Sequence, residues 1–116
     1  MFIYIINERG SKSPCKIGIS GNPDYRLGNL QCGNSRTLEI TYRKQCVFDE
    51  PDWGSSTPHD RNRLKGRSLE TKIHHSIIYN GFKRLKGEWF AIELRDAIEF
   101  IEAVITQSAE AVCQTA

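Results

Sequence analysis

The chain has 116 residues, 39% of them hydrophobic and 26% charged, with a formal net charge of +2. Those figures describe one soluble globular domain with room for a real core, and no apolar run approaches the ~20 residues needed to span a bilayer. Residues 2–6 are too short for a signal-peptide core and have no basic segment before them, so the expected address is the cytoplasm.

The charge is unevenly spread. Residues 1–87 hold 15 Lys/Arg against 8 Asp/Glu, whereas residues 88–116 hold 1 against 6. The basic surplus peaks at Arg61, Arg63, Lys65 and Arg67 and recurs at Lys83 and Arg84. Such clusters suit contact with a phosphate backbone, and equally suit an ordinary solvated surface. Cys15, Cys32, Cys46 and Cys113 lack metal-site spacing, and His59, His74 and His75 do not complete one. The four are expected to be free, buried thiols.

Two apolar runs open the chain, Phe2-Ile3-Tyr4-Ile5-Ile6 and Lys16-Ile17-Gly18-Ile19, joined by a segment containing Gly10, Ser11, Ser13 and Pro14. This reads as an antiparallel hairpin at the centre of a sheet. Alternation puts Phe2, Tyr4 and Ile6 on one face and Ile3 and Ile5 on the other. A phenol and an ammonium in such a hairpin each need a partner or a use.

Asn22-Pro23-Asp24 is a helix start: a cap, a first-turn proline and an acid at the positive end of the dipole. That helix should run from Tyr25 to about Cys32, with Leu27 and Leu30 inward and Arg26 beside them, and stop at Gly33-Asn34. Thr37 to Phe48 alternates like a third strand with one exposed face, at a sheet edge. Asp49 to roughly Asp60, with Pro51, Trp53 and Pro58, reads as a long loop. A helix then begins between Asp60 and Ser68 and ends at Asn80-Gly81, burying Leu69, Ile73 and Ile77. Glu70 and His74 share a face beside that stripe. Phe82–Lys86 and Trp89–Ile92 are short strand-like pieces. A last helix from Leu94 to about Ala111 carries Ala97, Ile98, Ile101, Val104 and Ile105 at helical spacing, with Glu93, Asp96, Glu99 and Glu102 outward.

The ordered set of Ile3-Tyr4, Lys16-Ile17-Gly18-Ile19-Ser20, Tyr25-Arg26-Leu27, Glu70 with Ile73-His74, and Gly87-Glu88-Trp89-Phe90 resembles the GIY-YIG nuclease superfamily. The likeness is to its small single-domain phage and bacterial branch, whose second motif begins with Lys. It covers residues 2–48 and 66–100, and residues 49–64 look like a loop inserted into a single domain spanning 1–116. The resemblance implies an α+β fold, a three-stranded antiparallel sheet flanked by helices, and Mg²⁺- or Mn²⁺-dependent hydrolysis of DNA phosphodiesters by a one-metal site.

Carried over residue by residue, Glu70 is the metal ligand, Arg26 holds the scissile phosphate, and Tyr4 orients or deprotonates the attacking water. Lys16 supplies a cation beside Tyr4 or a direct phosphate contact. His74 adds polarity to the site, or is a helix-face histidine satisfied by backbone. Three features depart from the family pattern: Lys16 stands where most members have Tyr, Leu30 where many have His or Tyr, and the Asn that often follows the catalytic Glu has no clear counterpart. The other readings are a weakly active or inactive module that grips nucleic acid through residues 61–67, and a protein-recognition factor that uses the Trp53 loop. With no attached recognition domain, target choice would fall to residues 49–67, a homodimer or a protein partner.

Overall fold

Strand β1 (Phe2–Glu8) and strand β2 (Cys15–Ser20) pair antiparallel, with Tyr4 opposite Gly18 and Ile6 opposite Lys16. Directly paired residues project to the same side of a sheet. One face of this hairpin therefore carries Tyr4, Ile6, Lys16 and Gly18, and the other Ile3, Ile5 and Ile17. The computed structural model describes residues 1–47, 58–107 and 112–114, with side chains described for residues 1–46 and 67–107.

Asn22 caps helix α1 (Pro23–Gln31), its Oδ1 accepting from the Tyr25 amide at 3.2 Å, with Pro23 in the first turn. Strand β3 (Leu38–Val47) returns antiparallel along β1, with a register shift between Ile5 and Ile6. Helix α2 (Pro58–Tyr79) is followed by strands β4 (Arg84–Lys86) and β5 (Trp89–Phe90), helix α3 (Leu94–Gln107) and strand β6 (Val112–Gln114). The sheet is antiparallel throughout, in the order β4-β5-β2-β1-β3-β6.

The expected sheet of three strands is thus only the β2-β1-β3 centre of a six-stranded one. Strands of two or three residues are too short to show a period; β5 and β6 form here on the open edges of the longer β2 and β3, and β4 pairs with β5. β3 is correspondingly not an edge strand at its Gln45–Val47 end, which pairs with β6.

The core lies mainly on the Ile3–Ile5–Ile17 face, where Leu69, Ile73 and Ile77 of α2 and Ala97, Ile101 and Ile105 of α3 are buried against it. Spacings of four put each trio on one helix face. The opposite face holds a smaller cluster of Tyr4, Ile6 and Leu38, covered by Leu27 and Leu30 of α1 and by Trp89.

Three further expectations change. α2 starts at Pro58 rather than after Asp60, so residues 58–64 of the expected insertion are helical; a proline in the first turn costs no hydrogen bond. Trp53 and the rest of the expected loop lie outside the described residues. Glu102 does not simply face outward: it accepts from the Tyr42 hydroxyl and the Lys44 ammonium, both at 2.7 Å, and so ties α3 to β3. Cys15 is a buried free thiol, but Cys32 is exposed and Cys46 is disulfide-bonded. Among the described residues no helix is long and apolar enough to cross a membrane.

Candidate functional site

β5 pairs with β2 only at Cys15 and Lys16, so the outer edge of β2 is open beyond that point. Unpaired backbone groups there need other partners. Two neighbouring elements, α2 and the turn between β4 and β5, supply them. The Ile17 amide donates to the Glu88 carbonyl at 3.1 Å, the Ile17 carbonyl accepts from His74 Nε2 at 2.8 Å, and the Glu70 carboxyl sits against the Ile19 amide, which favours its ionised form. Glu70 and His74 are one helical turn apart, and α2 lies along the strand edge, so the pair caps two successive exposed positions. The helix that fills the core thereby also delivers an acid to the rim of the hairpin.

The His74 ring is fully engaged. Nε2–H donates to Ile17, which leaves Nδ1 to accept from Arg84 at 3.2 Å, and the ring packs 4.8 Å from Phe90. Burial, opposed by the Ile17 bond, pushes its pKa below the ordinary histidine value. Neither nitrogen is open for proton transfer, so His74 is a strut of the site. We expect His74→Ala to lower stability by roughly 2–4 kcal/mol in urea denaturation, since a buried ring and the partner of a buried carbonyl both go. The ring stays neutral when folded and protonates when unfolded, so its contribution falls as pH drops through ~6.5. The difference between wild type and His74→Ala should therefore shrink from pH 7.5 to 5.5.

Tyr4, wholly buried, projects across Gly18, and its hydroxyl has no hydrogen-bond partner in the protein. A Cβ at Gly18 would stand 2.6 Å from that hydroxyl and 3.0 Å from Glu88 Oε2, so the two oxygens converge over the glycine. Lys16, only 8% exposed, puts its ammonium 3.0 Å from the same Glu88 oxygen. Arg26, exposed on α1, holds its guanidinium close enough to the Tyr4 hydroxyl to favour the phenolate. Burial outweighs it and, with Glu88 and Glu70 nearby, keeps the Tyr4 pKa above the ordinary phenol value. At neutral pH Tyr4 is an intact phenol, able to donate and accept but not to hold a water's proton.

Glu70 and Glu88 are hydrogen-bonded to each other. Burial first, and then the neighbouring Glu88 charge, push Glu70 up to about 7. Glu88 is also burdened by burial, but the bond to Lys16 outweighs it and holds this carboxyl below its ordinary value. Below about pH 7 the pair keeps one proton, on Glu70. Among the described residues no three His, Cys, Asp or Glu side chains gather as a metal-holding group; the oxygen donors at hand are Glu70 and Glu88.

The structure thus brings together Tyr4, Lys16, Arg26, Glu70 and His74. Of the basic residues expected to contact nucleic acid, Arg84 reaches the site through His74 and lies 5.3 Å over the Phe90 ring. Arg67 and Lys83 are exposed. Arg61, Arg63 and Lys65 lie on α2, with side chains outside the described residues. Glu88 was not among the expected site residues, although it stands in the Gly87-Glu88-Trp89-Phe90 segment. A lysine within an apolar strand was the signal, since a buried ammonium demands a carboxylate somewhere.

Residues 1–105 match the T5orf172 domain. The chain belongs to the T5orf172 domain family. The match takes in β1 through nearly all of α3, so every residue of the cluster lies within the T5orf172 domain. No curated protein and no solved structure matches the chain.

Proposed function

We propose that this T5orf172 domain is a GIY-YIG-type endonuclease, hydrolysing DNA phosphodiesters with one divalent metal ion. The observation that carries the reading is the buried Tyr4 hydroxyl left without a partner at the centre of the Lys16, Arg26, Glu70 and Glu88 cluster. An unsatisfied buried hydroxyl costs ~1–3 kcal/mol and calls for a ligand that completes it.

The donor set fits magnesium or manganese. Mg²⁺ is held by one or two carboxylates together with waters and substrate phosphate, and two half-buried acids forced to share a proton are what such a cation relieves. Glu70 would hold it, with Glu88 beside; a bound divalent ion stabilises the charge that develops on the phosphate oxygens. Arg26, exposed beside Tyr4, grips the phosphate through charge-assisted hydrogen bonds. Tyr4 orients the attacking water through a hydroxyl that Arg26 approaches but that no well-formed hydrogen bond in the protein fixes. Lys16 keeps a positive charge on the same face of the sheet. The basic balance of residues 1–87 favours nucleic acid as the substrate.

The test is nicking of supercoiled plasmid with Mg²⁺ or Mn²⁺, comparing wild type with Tyr4→Phe, Arg26→Ala and Glu70→Ala. Tyr4→Phe is the most telling. Removing an unpartnered hydroxyl should leave stability unchanged or raise it by up to ~1 kcal/mol, while the cleavage rate falls ~10²-fold or more. A Tyr4→Phe protein that is as active as wild type would sink the assignment. A wild-type chain that binds DNA with steep salt dependence yet nicks nothing is a binding module, the reading that the Lys16–Glu88 pair favours by occupying Lys16.

A further inference from the structure

We propose that Glu88 is a positioning residue of this site: its carboxylate holds the Lys16 ammonium on the face of the sheet that carries the Tyr4 hydroxyl. The inference rests on the nuclease reading for its functional consequence, and on geometry for the placement itself.

Surface ion pairs are exposed at both ends and contribute little. This one is different: the Lys16 side chain is 11% exposed and that of Glu88 28%, with 3.0 Å between charged atoms. A buried ammonium is retained only against a fixed carboxylate, and the fixing of Glu88 is visible. Its carbonyl accepts from the Ile17 amide, which pins the main chain to β2. Gly87, at φ 56°, takes the left-handed turn that brings Glu88 to that point. Gly18 then leaves the space above β2 that Glu88 Oε2 and the Tyr4 hydroxyl both enter. Glu88 also abuts Glu70, so one of the two acids must hold a proton while Glu88 stays charged against Lys16. A carboxylate chosen for stability alone would not stand there. One chosen to hold Lys16 beside the two acids would.

The test is Glu88→Gln, which keeps size and hydrogen-bonding capacity but removes the charge. In metal-free protein, reductive methylation of Lys16 is followed by mass spectrometry, with exposed Lys83 and Lys86 as internal references. Released from its partner, Lys16 should react about fivefold faster. In the cleavage assay kcat should fall about thirtyfold with KM for DNA within about threefold, and Glu88→Asp should restore part of both readouts. Lys16 reacting at the wild-type rate in Glu88→Gln overturns the proposal, as does undiminished cleavage once Lys16 is released. So does a loss of kcat that merely tracks a lower Tm and is not recovered by Glu88→Asp. Should Glu88→Gln fail to fold, Glu88→Asp carries the same test, with intermediate values expected. A wild-type chain that cleaves nothing ends the nuclease reading separately, and the methylation rate alone then decides whether Glu88 holds Lys16.

Discussion

Glu70→Gln is expected to abolish DNA cleavage while making the metal-free protein more stable at alkaline pH. The two effects have one cause. The Glu70 carboxyl is half-buried against Glu88 and pushed up to about 7. The unfolded chain gives up this proton near the ordinary carboxylate value, the folded chain only near 7. Folding therefore binds the proton between those values, and stability falls as pH rises through that window. Gln mimics the protonated acid and is indifferent to pH. Urea denaturation in EDTA should find the variant more stable by on the order of 1–3 kcal/mol at pH 8, with the difference vanishing near pH 5. Cleavage with Mg²⁺ should drop ~10³-fold or more, because a neutral amide is a poor ligand for a hard cation. A variant less stable than wild type at pH 8 would mean that the carboxyl is ionised and well paired, and the shared-proton description would fail.

A residue that lowers stability where it stands, and whose neutral isostere raises it, is poorly explained by the fold alone. Tyr4 and Glu70 are both expected to have this character, the one from its unpartnered hydroxyl and the other from its raised pKa. Lys44 offers the contrast: it too is nearly buried, but its ammonium meets Glu102 at 2.7 Å, and Glu102 also takes the Tyr42 hydroxyl. That network is satisfied within itself and joins α3 to the sheet. The Tyr4 cluster is left unsatisfied at one atom, on the side of the sheet reached by exposed Arg26.

The hairpin could be read from sequence because two-residue alternation in Phe2–Ile6 has one structural solution, and Tyr4 and Lys16 do lie on the same face. The sharing of a face by Glu70 and His74 was readable for the same reason, with a helical period. What they do at β2 was not, because their partners Ile19 and Ile17 lie more than fifty positions away in the chain. The Lys16–Glu88 pair spans 72 positions. Glu88 follows a turn glycine, where a solvated acid is ordinary, and only the docking of β5 on β2 turns it inward. The short strands β4 and β6 share that origin. Their pairing depends on edges that exist only once β1, β2 and β3 have assembled.

Gly18→Ala should be among the most damaging single-methyl changes in the chain. The added Cβ would stand 2.6 Å from the Tyr4 hydroxyl and 2.8 Å from Cζ, both inside van der Waals contact. Neither neighbour can yield cheaply. Gly18 sits within the β1–β2 ladder, and the Tyr4 ring is fully buried in a cluster with Ile6 and Leu38. Overpacking of this kind costs ~1–3 kcal/mol, and displacing the phenol should cost cleavage as well. The double variant Tyr4→Phe/Gly18→Ala separates the causes. Deleting the hydroxyl removes the closest contact and leaves the one at Cζ, so the double variant should be more stable than the sum of the singles by ~0.5–2 kcal/mol. Strict additivity would show that the close approach of the phenol is not why position 18 is glycine. Cleavage should stay absent in the double variant even as stability returns, because the atom whose removal relieves the clash is the one proposed to orient the water.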